Sequence, residues 1–276
     1  MADDPIWGDL VSDPWVRFAD VVDGHSAPFG AAAMDSLEPL ESSSVLDVGC
    51  GVGGTTWELA TRVGREGSVV GIDVSAPFLE GARRRGDAPQ VSFVLGDAAT
   101  ISLDPVDAAF SRFGVMFFVD PVVAFSNLRS LVRPGGAIAF SCWRDPFANP
   151  WMTAPVLASA SVLGPPSLPP PGQAGPFAFA EADRVREVLG GAGWTHVDVF
   201  DLSIEQPFPA GDARGCAEVM SQLNPVLAGG IREMPERRDD LISVVADALR
   251  EYERDGEVVV PSAAWIVHAT NPTGAG

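Results

Sequence analysis

The segment Val45-Leu46-Asp47-Val48-Gly49-Cys50-Gly51-Val52-Gly53-Gly54 constrains this chain more than any other. A short apolar run enters a loop with glycine at every second position, and helix-spaced apolar residues (Trp57, Leu59, Ala60, Val63) follow it. Glycines let the backbone turn sharply and let a ligand approach the main chain closely. A helix that starts behind such a loop points unpaired N–H groups at whatever binds there. Strand, glycine loop and helix in this order open a βαβ unit, which requires a parallel sheet covered by helices.

The rest of the chain repeats that rhythm. Ser68–Asp73, Val91–Leu95, Val106–Ser111 and Ala137–Trp143 read as further strands. Ser75 reads as the N-cap of a helix from Ala76 to Arg85, and Asp120-Pro121 as N-cap and first residue of a helix to Val132, stopped by Pro134-Gly135-Gly136. Before the first strand, residues 1–40 read as a helical cap, with helices Trp15–Asp23 and Ala27–Leu37 broken at Gly24. After the fifth strand, the proline-rich stretch 163–177 excludes regular structure. A helix from Glu181 to Leu189 and a strand near Thr195–Leu202 resume the alternation. Helices at about Ala213–Leu227 and Glu236–Arg254 then precede a last strand, Ala263–Thr270. The expected domains are therefore the cap, 1–40, and an α/β domain, 41–276, with a helical lid inserted at about 209–257.

Composition excludes several functions. Of the charged residues, 18 are basic and 37 acidic, a net charge of −19. A surface of that sign repels phosphate backbones, and nucleic-acid binding needs a basic footprint. The one basic cluster, Arg83-Arg84-Arg85, falls at a helix C-terminus, where arginine suits the helix dipole. Every basic residue is arginine, which removes lysine Schiff bases, lysine general bases and the lysine-bearing phosphate loop. The cysteines Cys50, Cys142 and Cys216 are odd in number and far apart, so neither a disulfide framework nor a zinc site is expected. No metal ligand set stands out. The acidic start of the chain has no hydrophobic signal region, and no apolar run approaches the roughly 20 residues of a membrane span. A cytoplasmic protein with no membrane partner is the expectation.

Three acidic residues refine the glycine loop. Gly49, Gly51 and Gly54 match the dinucleotide pattern GxGxxG, a weak signal alone. Asp47, two residues before the first glycine, argues against a dinucleotide, because its carboxylate would repel a pyrophosphate. It suits S-adenosylmethionine, whose methionine part carries an α-ammonium. Asp73 closes the second strand, where a carboxylate can accept both ribose hydroxyls. Asp97-Ala98 closes the third, where an acid can take the adenine amino group and the next N–H a ring nitrogen.

The series VLDVGCGVGG, GIDVS, GDA, DAAFSRFGVMFF and LRSLVRPGGAIAF resembles the class I, Rossmann-like S-adenosylmethionine-dependent methyltransferases, including the ubiquinone/menaquinone-biosynthesis group. The resemblance covers about residues 40–145. It implies a doubly wound, seven-stranded, mostly parallel sheet with the last strand antiparallel, and transfer of a methyl group to a small-molecule acceptor with S-adenosylhomocysteine as product. It implies cofactor contacts from Asp47, Gly49, Cys50, Gly51, Gly53, Asp73, Val74, Asp97, Ala98, Ser111 and Arg112. The Asn/Asp-Pro-Pro-aromatic run of enzymes that methylate nucleic-acid bases is replaced here by Ser111-Arg112-Phe113-Gly114.

The acceptor side is less legible. His25 and Arg112 are the candidate catalytic groups, one as a proton acceptor in the N-terminal helical region, the other at the fourth strand end. Phe117, Trp143, Asn149 and Trp151 are the candidate acceptor contacts, because ligands bind at the carboxyl ends of such strands. His196 and His268 read as structural. Lid helices with an apolar patch would serve equally as a homodimer face. Two other readings stay open: a protein of this fold that binds the cofactor without transferring methyl groups, and an NAD-dependent oxidoreductase.

Overall fold

The computed structural model describes residues 9–166, 170 and 172–273. Residues 1–8 at the acidic start, and 167–169 and 171 of the proline-rich stretch, lie outside the described residues. In chain order the elements are α1 (Asp9–Arg17), α2 (Ala19–Asp35), β1 (Ser44–Val48), α3 (Gly54–Val63), β2 (Ser68–Asp73), α4 (Ala76–Arg84), β3 (Val91–Leu95) and β4 (Val106–Arg112). There follow α5 (Pro121–Leu131), β5 (Val132–Trp143), α6 (Pro150–Leu163), α7 (Ala182–Gly191), β6 (Thr195–Pro207), α8 (Ala213–Leu223), α9 (Pro225–Glu233), α10 (Arg238–Leu249), β7 (Glu253–Arg254) and β8 (Glu257–Thr270).

The strands form one mixed sheet in the order β3-β2-β1-β4-β5-β8-β6, with β7 paired to β8 alone. The pairs β1–β2, β2–β3, β1–β4 and β4–β5 are parallel, and β8 runs antiparallel to β5. This is the doubly wound α/β sheet with an antiparallel last strand that the motif series implied. The chain moves outward from β1 to β2 and β3, then crosses to β4 on the other side. That reversal opens a crevice at the carboxyl ends of β1 and β4.

The chain divides into two compact units. The larger comprises Ser26–Arg144, Pro170–Leu202 and Ala264–Gly276. It holds β1 to β5, α3, α4, α5 and α7, around a core that includes Phe110, Phe125, Phe140 and Phe179. The smaller comprises Met1–His25, Asp145–Pro169 and Ser203–Ala263. Its core joins Phe208, Cys216, Leu227, Leu241, Val245, Leu249, Val258 and Val260. Helices α8 and α10 enter that core with apolar residues three or four apart, the spacing of one helix face. The long strands β6 and β8 pass from one unit into the other.

Several boundaries differ from the sequence expectation, each for a local reason. The helix break expected at Gly24 falls at Phe18, and α2 carries Gly24 within it. A mid-helix glycine costs only about 1 kcal/mol, and a β-carbon there would stand 3.3 Å from the Pro209 ring. The helix expected at 213–227 is two, because Asn224 caps α9 by accepting from the amides of Val226 and Leu227 while Pro225 takes the first helical position. The helix expected to reach Arg254 stops at Leu249. Asp255 and Gly256, with φ of 54° and 82°, form a two-residue turn that pairs Glu253 with Val258. Strand β5 starts at Val132 rather than Ala137, its register jumping across a bulge that holds Gly135. Helix α6 was not expected. Asp120 caps α5, as its place before Pro121 predicts, its carboxylate accepting from Val123 N. Ser75 stands at the cap position of α4, but its hydroxyl caps no amide there; Asp73 accepts from the Ser75 amide instead.

Candidate cofactor site

The glycine loop crosses the crevice between β1 and β4. Gly49 has φ +65°, and a β-carbon on it would stand 3.0 Å from Gly114 Cα, so the loops after β1 and β4 touch main chain to main chain. Gly51 has φ +54°, and apart from its own chain neighbours no atom of the described residues lies within 4 Å of where its β-carbon would be. That opening is where a ligand can lie against the backbone. Gly53 stands at the N-cap of α3. Cys50 is buried, and its amide donates to Ile72 O. Burial, and then the carboxylates of Asp47 and Asp73, push its thiol well above the ordinary range, which removes it as a nucleophile.

Asp47 is fully buried. Its Oδ2 accepts from Thr55 Oγ1 at 2.7 Å and Thr56 Oγ1 at 2.6 Å. Among the described residues nothing donates to its Oδ1. Burial pushes this carboxyl up to about 6; the Thr56 and Thr55 hydroxyls and the Arg112 charge pull it down, and the Asp73 charge pushes it up. Asp73 is also buried, with Oδ2 accepting from Gly51 N at 2.8 Å and Oδ1 from Ser75 N at 2.9 Å. Burial raises its carboxyl against those backbone bonds. Asp73 thus fixes the glycine loop as well as closing β2, and the Val74 amide adds a third backbone bond to its carboxylate. Val74 beside it is 48% exposed.

Asp97 is exposed and accepts from Ala99 N, an Asx turn after β3. Ala98 is buried, its carbonyl accepting from Asn127 Nδ2. Ser111 is buried; it donates to Val48 O at 2.7 Å and accepts from Gly114 N at 3.2 Å, tying the end of β4 to the end of β1. Arg112 is half-buried, and its stem runs past Gly30 of α2.

Other predicted residues sit in aromatic packing. Trp143 is buried and stacks on Phe113 at 3.8 Å and 11°, with Phe29 edge-on to it. Phe117 is half-buried in the single 3-10 turn Val115–Phe117. In the smaller unit His25 is buried, 4.5 Å edge-on from Trp151, with Nε2 3.3 Å from Ser262 Oγ. Burial pushes its imidazole down to about 4. Asn149 is buried and pairs like a strand residue with Ala263, donating to its carbonyl at 2.9 Å and accepting from its amide at 3.0 Å.

Sequence reading missed Thr55, Thr56, Gly30 and Phe113. The two threonines carry a signal in retrospect, since they open the helix directly behind the glycine loop. Phe113 has φ +62°, a conformation that a bulky side chain rarely adopts and that no sequence pattern announces.

A family model described as a methyltransferase domain matches residues 45–136. The chain is 30% identical over 206 residues to the nocamycin O-methyltransferase of Saccharothrix syringae, covering 67% of this chain and 71% of that protein. It is 37% identical over 117 residues to the 2-phytyl-1,4-naphtoquinone methyltransferase of Thermosynechococcus vestitus, covering 41% of this chain and 52% of that one. Four curated relatives, the naphthoquinone enzyme among them, are spanned over 33–57% of their length. Among solved structures, the cyclase SpnF superposes with a TM-score of 0.56 at 18% identity, over 96% of each chain, a likeness of fold. With the strand order, the glycine loop and its acids on one sheet edge, the chain belongs to the class I S-adenosylmethionine-dependent methyltransferase family.

Proposed function

We propose that the protein transfers a methyl group from S-adenosylmethionine to a small-molecule acceptor and releases S-adenosylhomocysteine. The observation that carries this reading is Asp47 Oδ1, a buried carboxylate oxygen at the carboxyl end of β1 to which none of the described residues donates. A buried acceptor calls for a partner, and a cation is the partner that favours the ionised form. The α-ammonium of the cofactor is such a cation; a dinucleotide pyrophosphate would meet like charge. Gly51 leaves space along the glycine loop, and Asp73, Val74, Asp97 and Ala98 stand at the next two strand ends for the adenosine part.

The cofactor, when bound, supplies a methyl group already activated as a sulfonium. The chain then has to bind, orient and exclude water, and orientation alone is worth about 7–11 kcal/mol in well-aligned systems. His25 stays the candidate base where the acceptor is a phenol or alcohol: burial keeps it neutral near pH 7, while the same shift to about 4 makes it a weaker proton acceptor than a free imidazole. The packing of Trp143 and the bonds of Asn149 support structural roles for both, which leaves Phe117 and Trp151 as acceptor-side candidates. Relatives named for nocamycin and a naphthoquinone support a small organic acceptor, and the net charge of −19 weighs against nucleic acid. Three buried, unbridged cysteines suit a reducing cytoplasm. No helix among the described residues is long and apolar enough to cross a membrane.

Thermal unfolding with S-adenosylmethionine, S-adenosylhomocysteine or NAD(H) tests the cofactor. A ligand at about 100 times its Kd adds roughly 2.7 kcal/mol. Stabilisation by the two sulfur compounds alone is expected; stabilisation by NAD(H) alone would return the chain to the oxidoreductase reading. Release of S-adenosylhomocysteine with a panel of phenols, quinols and amines then separates methyl transfer from a cofactor-bound protein with other chemistry.

A further inference from the structure

Asp47 is not merely buried; it is held. Thr55 and Thr56 open α3 directly behind the glycine loop, and both hydroxyls donate to the same carboxylate oxygen, Oδ2, at 2.7 and 2.6 Å. Space for one of them is built into the neighbouring strand: a β-carbon on Gly71 would stand 2.9 Å from Thr56 Oγ1. Gly71 is the β2 residue that pairs with Asp47. The other charged or titratable groups acting on Asp47 are Arg112 from β4, Asp73 from β2 and the Cys50 thiol of the glycine loop. With Oδ2 doubly satisfied, the carboxylate cannot rotate without losing two short bonds, and Oδ1 is left as its one unmatched acceptor.

We infer that Thr55 and Thr56 are positioning residues for the amino-acid end of the cofactor: they lock one oxygen of Asp47 so that the other presents a single, directed acceptor to the α-ammonium. The inference rests on the proposed S-adenosylmethionine reading. It adds that the hydroxyl pair also keeps the carboxylate ionised near neutral pH, since both bonds favour the charged form against burial. Replacing a hydroxyl by an isosteric methyl therefore does two things. It loosens the carboxylate, and it moves the proton uptake of Asp47 toward neutrality.

Isothermal titration calorimetry on the full chain separates this from a general structural role. The probes are S-adenosylhomocysteine, which has the α-ammonium, and 5′-methylthioadenosine, which lacks it. In Thr56→Val, S-adenosylhomocysteine is expected to bind about tenfold more weakly at pH 7, the scale of one charge-assisted hydrogen bond. Methylthioadenosine is expected to change less than about twofold, and Thr56→Ser to restore the wild-type affinity. The pH below which S-adenosylhomocysteine affinity falls is expected to rise in Thr56→Val. Thr55→Val supplies a second variant if Thr56→Val does not fold. Equal losses for both probes, or no loss for either, would overturn the inference while leaving the cofactor reading in place. A wild-type protein that binds neither probe would overturn both.

Discussion

Gly30 leaves the space that the stem of Arg112 fills: a β-carbon on residue 30 would stand 2.9 Å from Arg112 Cδ and 3.6 Å from its Cγ. The guanidinium at the end of that stem is the positive charge that pulls the Asp47 carboxyl down against burial. A helical glycine thereby acts, through one arginine, on the charge state of a carboxylate on the strand next to that arginine's.

Gly30→Ala is therefore expected to leave stability nearly unchanged and to weaken cofactor binding. Alanine gains about 1 kcal/mol of helix propensity, and the atom it meets belongs to a flexible stem that can move aside. The displaced Arg112 holds Asp47 less well, so S-adenosylhomocysteine affinity at pH 7 should drop several-fold by calorimetry. Full affinity in a variant whose unfolding midpoint is also unchanged would refute the link.

Asp47→Asn should stabilise the ligand-free protein and destroy its cofactor affinity. An acid whose folded pKa is raised, here to about 6 from 3.8, binds its proton more tightly when folded. Its contribution is fully present below the unfolded value and is lost as pH rises through 3.8 to 6, a difference on the order of 3 kcal/mol. Asparagine carries no charge to bury, and its carbonyl can still accept from Thr55 and Thr56. The variant's midpoint should exceed the wild type's by several degrees at pH 8, the gap closing toward pH 4. A lower midpoint at pH 8 would mean that the ionised carboxylate is stabilised in ways the two threonines and Arg112 do not account for.

His25 gives the opposite slope. Its folded pKa, about 4, lies below the ordinary 6.5, so the unfolded chain binds the proton first. The stability it contributes is present above pH 6.5 and is lost as pH falls toward 4, again on the order of 3 kcal/mol. In His25→Gln this acid-sensitive part should vanish. Subtracting the wild-type unfolding curve from the variant's at each pH isolates it from the opposing Asp47 slope, and a difference that stays flat from pH 7 to 4 would contradict the burial of a neutral imidazole. If His25 is also the base, the variant should lose turnover with phenolic acceptors while keeping S-adenosylhomocysteine affinity.

Local chemistry determined the parts of this protein that need few neighbours. The glycine loop, the acids that close β1, β2 and β3, and the Asp120-Pro121 cap are written in adjacent residues, because backbone φ, helix capping and strand ends are short-range matters. Asn224-Pro225 and Asp255-Gly256 were equally local and define α9 and the β7–β8 turn. What only the tertiary structure decided are relations between distant segments. It put Thr55 and Thr56 on one oxygen of Asp47 and left the other alone. It gave Ser111 to the glycine loop as a tie, and set Asn149 against the main chain of Ala263, 114 residues away. It bent Phe113 into a left-handed conformation against Trp143 and sank His25 beside Trp151. Burial and long-range contact set each of these roles, and neither can be read from a residue type or its spacing.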